Sequence, residues 1–326
     1  MTISRLLAGM LALSSAAFIT LPAYAADYPT KPITIVVGFP PGTSTDAIAR
    51  IIGEKISKDW GQPVIVENKP GVGGSLGAAQ VAKAAPNGYT LVLSATAPMN
   101  INPHVYKKLN YNPLTDFEAI GQSTWLPYLL VTNKEKGLDT FPKIVEYAKK
   151  NPDALTFASI GMGTTSHLLM SMLMKATGTT MTHVPYTGSS QAQTDIIGGN
   201  VDMTFDTLVS TLPHVKSGRL NGVAVSTDQR AKLDPSIPTI QEQGLADFNM
   251  GAWLGFFAPK GTPKDIVNKL HAELNQALQD PQTNQKLVAL GSEVVMSESP
   301  EAFAKMVGDN YRMWGDLVKE SGVTQK

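Results

Sequence analysis

The 326-residue chain contains no cysteine. That excludes disulfide bracing, thiolate nucleophiles and cysteine metal sites, so stability has to come from packing. Net charge is missing too: 27 Lys and Arg stand against 27 Asp and Glu, with no basic cluster. A nucleic-acid partner wants a positive footprint, and none is expected. Histidine is scarce, with His104, His167, His183, His214 and His271 scattered and no pair at His-x-x-x-His spacing. Neither a metal nor a cofactor is therefore expected. Beyond the first two dozen residues there is no long apolar run, and no later segment reads as a membrane span.

What is present begins at the N-terminus. Arg5 precedes the apolar stretch Leu6 to Leu21, and Ala23-Tyr24-Ala25 has the small-x-small form of a cleavage site. Residues 1–25 read as a signal peptide and the product as a periplasmic protein cleaved near Ala25. No cysteine follows the apolar run, which argues against a lipid anchor. With 43% hydrophobic residues, the rest is long enough for two domains with real cores.

The segment Gly38-Phe-Pro-Pro-Gly-Thr-Ser-Thr-Asp-Ala-Ile-Ala-Arg50 organises the chain. It follows the β-branched run Ile33 to Val37, suited to a buried strand, and leads into a helix with Ile48, Ile51, Ile52 and Ile56 on one face. Pro40, Pro41 and Gly42 stop the strand, Thr43, Ser44 and Thr45 are N-cap candidates, and Asp46 adds a negative charge to the first turn. The first N–H groups of a helix lack internal partners and together carry about half a positive charge, so a carboxylate or phosphate can rest there without a lysine or arginine. The pattern returns at Thr156 to Ile160, a strand, followed by Gly161-Met-Gly-Thr-Thr-Ser-His167 and a helix with Leu168, Leu169, Met172 and Leu173 on one face. Two such helix ends facing each other would form a cleft for a compact anion.

Strands alternating with helices predict mainly parallel sheets flanked by helices, hence an α/β fold. The expected division is residues 26–123 with 252–326 as one domain and 124–251 as the other, linked by two crossings. Thr96 and Ala97 sit in the expected loop Ala95 to Pro103, beyond the carboxyl end of a third strand, where ligands of open parallel sheets collect. His167 is expected to pack beneath the second helix start.

A competing chemistry is serine esterase activity. Gly73-Gly-Ser-Leu-Gly77 satisfies the Gly-x-Ser-x-Gly pattern around Ser75, and Asp206 and His271 follow in the order of an α/β-hydrolase triad. The context is poor, because Asn68 to Val72 separates the strand from the motif and no oxyanion segment is present. Dinucleotide binding fares no better, since Gly71, Gly73, Gly74 and Gly77 miss the required register.

Five segments in order, Gly38 to Arg50, Glu67-Asn-Lys-Pro-Gly-Val-Gly-Gly74, Val184-Pro-Tyr186, Pro238-Thr-Ile-Gln-Glu242 and Trp253-Leu-Gly-Phe-Phe-Ala-Pro-Lys-Gly-Thr-Pro263, resemble the Bug family. These are the TctC-like periplasmic solute-binding proteins of tripartite tricarboxylate transporters. The resemblance implies a two-domain periplasmic binding protein, a Venus flytrap, that is not an enzyme. A small organic acid would lie between the domains: a di- or tricarboxylate, an amino acid or an aromatic acid. The resemblance places the clasp on Phe39, Pro41, Gly42, Thr43, Ser44, Thr45 and Asp46 and on Gly163, Thr164, Thr165 and Ser166, through amides, hydroxyls and water. Tyr186 and Asp206 complete the candidate ligand-binding set, and Phe39, Tyr186 or Trp125 would wall an aromatic ligand. A monomer would deliver its acid to a tripartite permease, or engage a membrane sensor instead. One departure is Thr43, where the family often has a second glycine; a narrower pocket or an extra hydroxyl is the expected result.

Overall fold

The structure, a computed structural model, describes residues 28–323. The expected signal peptide lies outside them. In chain order the elements are β1 (Ile33–Val37), α1 (Ser44–Trp60), β2 (Val64–Asn68), α2 (Ser75–Ala82), β3 (Thr90–Ala95), α3 (Asn102–Val105) and β4 (Phe117–Thr132). Next come α4 (Phe141–Lys150), β5 (Thr156–Ser159), α5 (Thr165–Thr177), β6 (Thr182–Pro185), α6 (Ser189–Ile197), β7 (Met203–Thr207), α7 (Leu208–Lys216) and β8 (Asn221–Val225). The chain closes with β9 (Gly251–Pro259), α8 (Lys264–Gln279), α9 (Pro281–Ala289), β10 (Glu293–Val294) and α10 (Pro300–Ser321).

The apolar runs become strands buried on both faces. Ile35, Ile48, Ile52 and Leu93 pack between β1, β3 and α1, while Phe157, Leu169, Met203 and Phe205 fill the other lobe. In the first lobe β2, β1 and β3 pair in parallel, and in the second β6, β5 and β7 do the same. The strands between these wings are antiparallel, so the sheets are mixed. β9 pairs with β3 and with the first part of β4, up to Pro127 opposite Gly251. From Tyr128, β4 turns to β7 and β8.

One long strand therefore belongs to both sheets, and the chain returns beside it. Ser226 donates its N–H to the Tyr128 carbonyl at 2.9 Å, and Met250, just before β9, donates to the Ser226 carbonyl at 2.9 Å. Two adjacent passages join the lobes.

Of residues Ala95 to Pro103, expected as a loop, Ala95 ends β3 and the rest form a largely buried helical run: a π-helical turn over Ala97–Ile101 continues into α3. Two asparagines explain it. Asn100 donates to the Val307 carbonyl at 2.9 Å and accepts from the Trp253 indole at 3.1 Å. Asn102 donates to the Gly73 carbonyl at 3.0 Å and to Ser75 Oγ at 2.7 Å. No helix among the described residues is long and apolar enough to cross a membrane.

Candidate functional site

Pro40 to Asp46 and Gly161 to His167 fold into the same turn. Gly42 and Gly163 take φ of +81° and +76°, the left-handed region that glycine tolerates without cost from a Cβ. The N-caps that follow, Thr43 and Thr164, have φ/ψ of −77°/163° and −76°/162°. Neither hydroxyl caps its helix: Thr43 Oγ1 donates back to the Pro40 carbonyl at 2.9 Å, and Thr164 Oγ1 to the Gly161 carbonyl at 2.7 Å. The first-turn N–H groups of α1 and α5 are thereby left without their usual side-chain acceptor, at the positive end of each helix.

Each loop is held from behind by the side chain at the third helical position. Asp46 accepts the Gly42 N–H at 2.9 Å, and His167 Nδ1 accepts the Gly163 N–H at 3.2 Å. Burial pushes the Asp46 carboxyl up, but Arg50, the Gly42 N–H and Asn68 outweigh it and hold the group below the usual carboxylate range. His167 stacks on His183 with ring centroids 4.0 Å apart, and His183 Nε2 meets Ser159 Oγ at 2.7 Å. Ser159 in turn donates to the Gly161 carbonyl at 3.1 Å, so the two imidazoles brace both ends of the second loop. Burial pushes His167 down to about 3, with a further push from His183, and takes His183 down to about 4.

Between the helix starts lies a cavity of about 30 Å3. Thr43, Ser44 and Thr45 line it from α1, Thr164 and Thr165 from α5, and Ser189, Asp206 and Thr207 from the ends of α6 and β7. Leu126 and Tyr128 of β4 and Ala252 and Leu254 of β9 form its floor. The walls touch across it. Ser44 Oγ and Thr207 Oγ1 are 2.7 Å apart. Asp206 is the one ionisable carboxyl in the lining, and no lysine, arginine or histidine joins it. Burial pushes Asp206 up to about 6, against stabilising bonds from Ser189, the Thr207 N–H at 2.7 Å and Gln193 at 3.3 Å. The arrangement can hold an anion with amides and hydroxyls.

Comparison with known proteins settles the lineage. The profile described as tripartite tricarboxylate transporter family receptor matches residues 48–323. The chain belongs to this family. Among its relatives, BugT of Bordetella pertussis is 33% identical over 100% of both chains. Two solved structures from Rhodopseudomonas palustris are similar. Rpa4515 with adipate is 30% identical over 91% of this chain and 99% of its own, with a TM-score of 0.88. MatC with bound malate is 33% identical over 89% of this chain and 100% of its own, with a TM-score of 0.84. The TctC receptors are periplasmic binding proteins, not enzymes, and share this flytrap fold.

In this TctC receptor the expected site residues fall into three groups. Phe39, Thr43, Ser44, Thr45, Ala97, Thr164, Thr165 and Asp206 all line the inner cavity. Tyr186 lines an adjoining outer chamber, its hydroxyl bonded to Asp195 at 2.7 Å. The others stand behind the lining. Pro41 and Gly42 are exposed at the loop tip, and Asp46 faces Arg50 and Asn68. Thr96 accepts the Trp253 N–H, Ser166 donates to the Phe205 carbonyl, and Gly163 abuts Asn102 and Tyr106. Trp125, expected as a possible aromatic wall, is on the opposite face of β4 with Gly251 and Trp253, because strand residues alternate sides. Thr43 adds no free donor, since its hydroxyl is committed to Pro40, and its φ does not require glycine.

Ser189, Thr207, Tyr128, Leu126 and Ile160 were not anticipated. Ser189 opens α6 and Thr207 ends β7 as the N-cap of α7, and a hydroxyl at a helix start is the one signal the sequence carried. The esterase triad is not assembled. Ser75 is buried and bonded to Asn102 and Tyr111, His271 bonds the Ile120 carbonyl at 2.8 Å, and Asp206 lies in the other lobe with Gln193 and Thr207. Among the described residues no group of His, Asp and Glu could hold a metal ion.

Proposed function

We propose that this receptor captures a small organic acid between its lobes and hands it to a tripartite membrane permease. The observation that carries this reading is the pair of matched helix starts, both with N-cap hydroxyls turned away, lining one cavity with no cation. Each helix end contributes roughly 0.3–1 kcal/mol to anion binding when exposed and up to about 2 when partly buried. Charge-assisted hydrogen bonds add about 1.5–3 kcal/mol each. A handful reach the roughly −8 kcal/mol of micromolar affinity when donors are already aimed and little ordering is needed. The malate and adipate held by the two Rhodopseudomonas neighbours support a carboxylate as ligand.

Residues 26–123 with 252–326 and residues 124–251 are the bodies we take to move, and the change of β4 partner supports a crossing in this strand, between Pro127 and Tyr128 and so four residues past that boundary. An acid touching both α1 and α5 favours the closed arrangement, because only there are both sets of bonds made. The monomer, after export and removal of residues 1–25, would present that shape to the permease, or to a membrane sensor in its place. A thermal-shift screen over organic acids, sugars and amines tests the reading. Stabilisation by acids is expected; stabilisation by sugars or amines alone would overturn it.

A further inference from the structure

The inner cavity, at about 30 Å3, has room for roughly two water-sized groups, enough for a carboxylate head but not for a whole acid. Beside it is an outer chamber of about 440 Å3, and Phe39 and Ile160 line both. A ligand whose head rests on the helix starts must lead its remainder between those two side chains.

The chemistry of the chamber is one-sided. Besides Phe39 and Ile160, the prolines, Val72, Tyr106, Met162 and Tyr186 contribute most of its side-chain surface, Thr187 adds one hydroxyl, and no charged residue lines it. Its two phenol hydroxyls are already engaged: Tyr106 with the Met162 carbonyl at 2.6 Å and Tyr186 with Asp195 at 2.7 Å. What faces the chamber is mainly aromatic ring, aliphatic side chain and glycine backbone, with Thr187 the one hydroxyl side chain not so engaged. The backbone of Gly71 to Gly74 runs at positive φ, and a Cβ on Gly74 would stand 2.8 Å from the Phe39 ring. Glycine there is what lets the ring take its place as the gate.

We propose that this chamber is the tail subsite, and that it selects monocarboxylic acids with an apolar aliphatic or aromatic tail over acids with a second charge. The proposal rests on the carboxylate reading above and narrows it. A distal carboxylate entering the chamber would leave water for a mainly apolar lining that lacks the paired helix starts and the row of hydroxyls serving the head, whereas each methylene gains burial.

Isothermal titration of the mature chain with butanoate, hexanoate, octanoate, phenylacetate, succinate and adipate tests it. Affinity should rise about fourfold for each added methylene, which corresponds to about 0.8 kcal/mol of burial, until the chamber is filled. Hexanoate and phenylacetate should bind at least tenfold more tightly than adipate. Met162→Lys, which puts a cation in the chamber, should shift the hexanoate-to-adipate ratio at least tenfold toward adipate. Adipate matching hexanoate in the unaltered protein, or a flat chain-length series, would overturn the tail subsite and leave the carboxylate reading intact. Binding of no acid would remove both.

Discussion

Asp206 sits where a bound anion would feel it. Its carboxyl, raised by burial to about 6, is already part protonated near neutrality. A ligand carboxylate alongside it raises that pKa further, so forming the complex takes up a proton. Affinity should increase as pH falls from about 8 toward 6, by at most about tenfold per pH unit for one coupled proton. Asp206→Asn should flatten the profile, and titrations in buffers of different ionisation enthalpy would count the proton directly. His167 and His183 act in the opposite sense, on stability. Their folded pKa values, about 3 and about 4, lie below the ordinary 6.5, so the folded state keeps them neutral. Their contribution is fully present above pH 6.5 and is lost as the unfolded chain takes up protons and pH falls toward those values. Thermal melts from pH 7.5 to 4.5 should show a steeper loss for the native protein than for His167→Asn, whose amide oxygen can still accept from Gly163.

At the scale of elements, the two loops look equivalent in backbone but differ in surroundings. A Cβ on Gly42 meets nothing within 4 Å, while one on Gly163 would stand 2.9 Å from Asn102 Oδ1. Alanine at either position costs about 1–2 kcal/mol for its left-handed backbone. Only Gly163→Ala should also push the second loop against α3, reducing ligand affinity more than tenfold, whereas Gly42→Ala stays within about threefold. Calorimetry of both variants separates the two effects. Both turns were legible in the sequence because strand, proline or glycine stop, hydroxyl run and apolar helix face follow one another locally. The run Ala97 to Val105 was not, since its conformation depends on side-chain bonds from Asn100 and Asn102 to residues far along the chain. The family resemblance puts Asp46 in the clasp; its carboxylate oxygens are instead taken by Gly42, Arg50 and Asn68. The floor residues Leu126 and Tyr128 escaped notice because their facing is fixed by register with β7 and β9, and register is a tertiary fact.

For the whole molecule, the proposed capture requires the lobes to part and meet again. Ser44 and Thr207 come from opposite lobes with their hydroxyl oxygens 2.7 Å apart, and the chain has no native cysteine to compete. The double variant Ser44→Cys, Thr207→Cys should therefore oxidise across the cleft in the closed arrangement. Exchange of bound acid, followed by displacement kinetics, should slow at least tenfold on oxidation and recover with a thiol reductant. Unchanged exchange would mean that ligand passes without lobe separation. Strand β4 carries a different implication. Because it is hydrogen-bonded into one sheet up to Pro127 and into the other from Tyr128, each lobe borrows part of its sheet from the same unbroken segment. A split there would leave both fragments with unpaired backbone along a raw strand edge, the kind of surface that templates aggregation. If the lobes move as two bodies, as proposed, neither should be obtainable as a well-behaved fragment by cutting at the line where β4 changes partner.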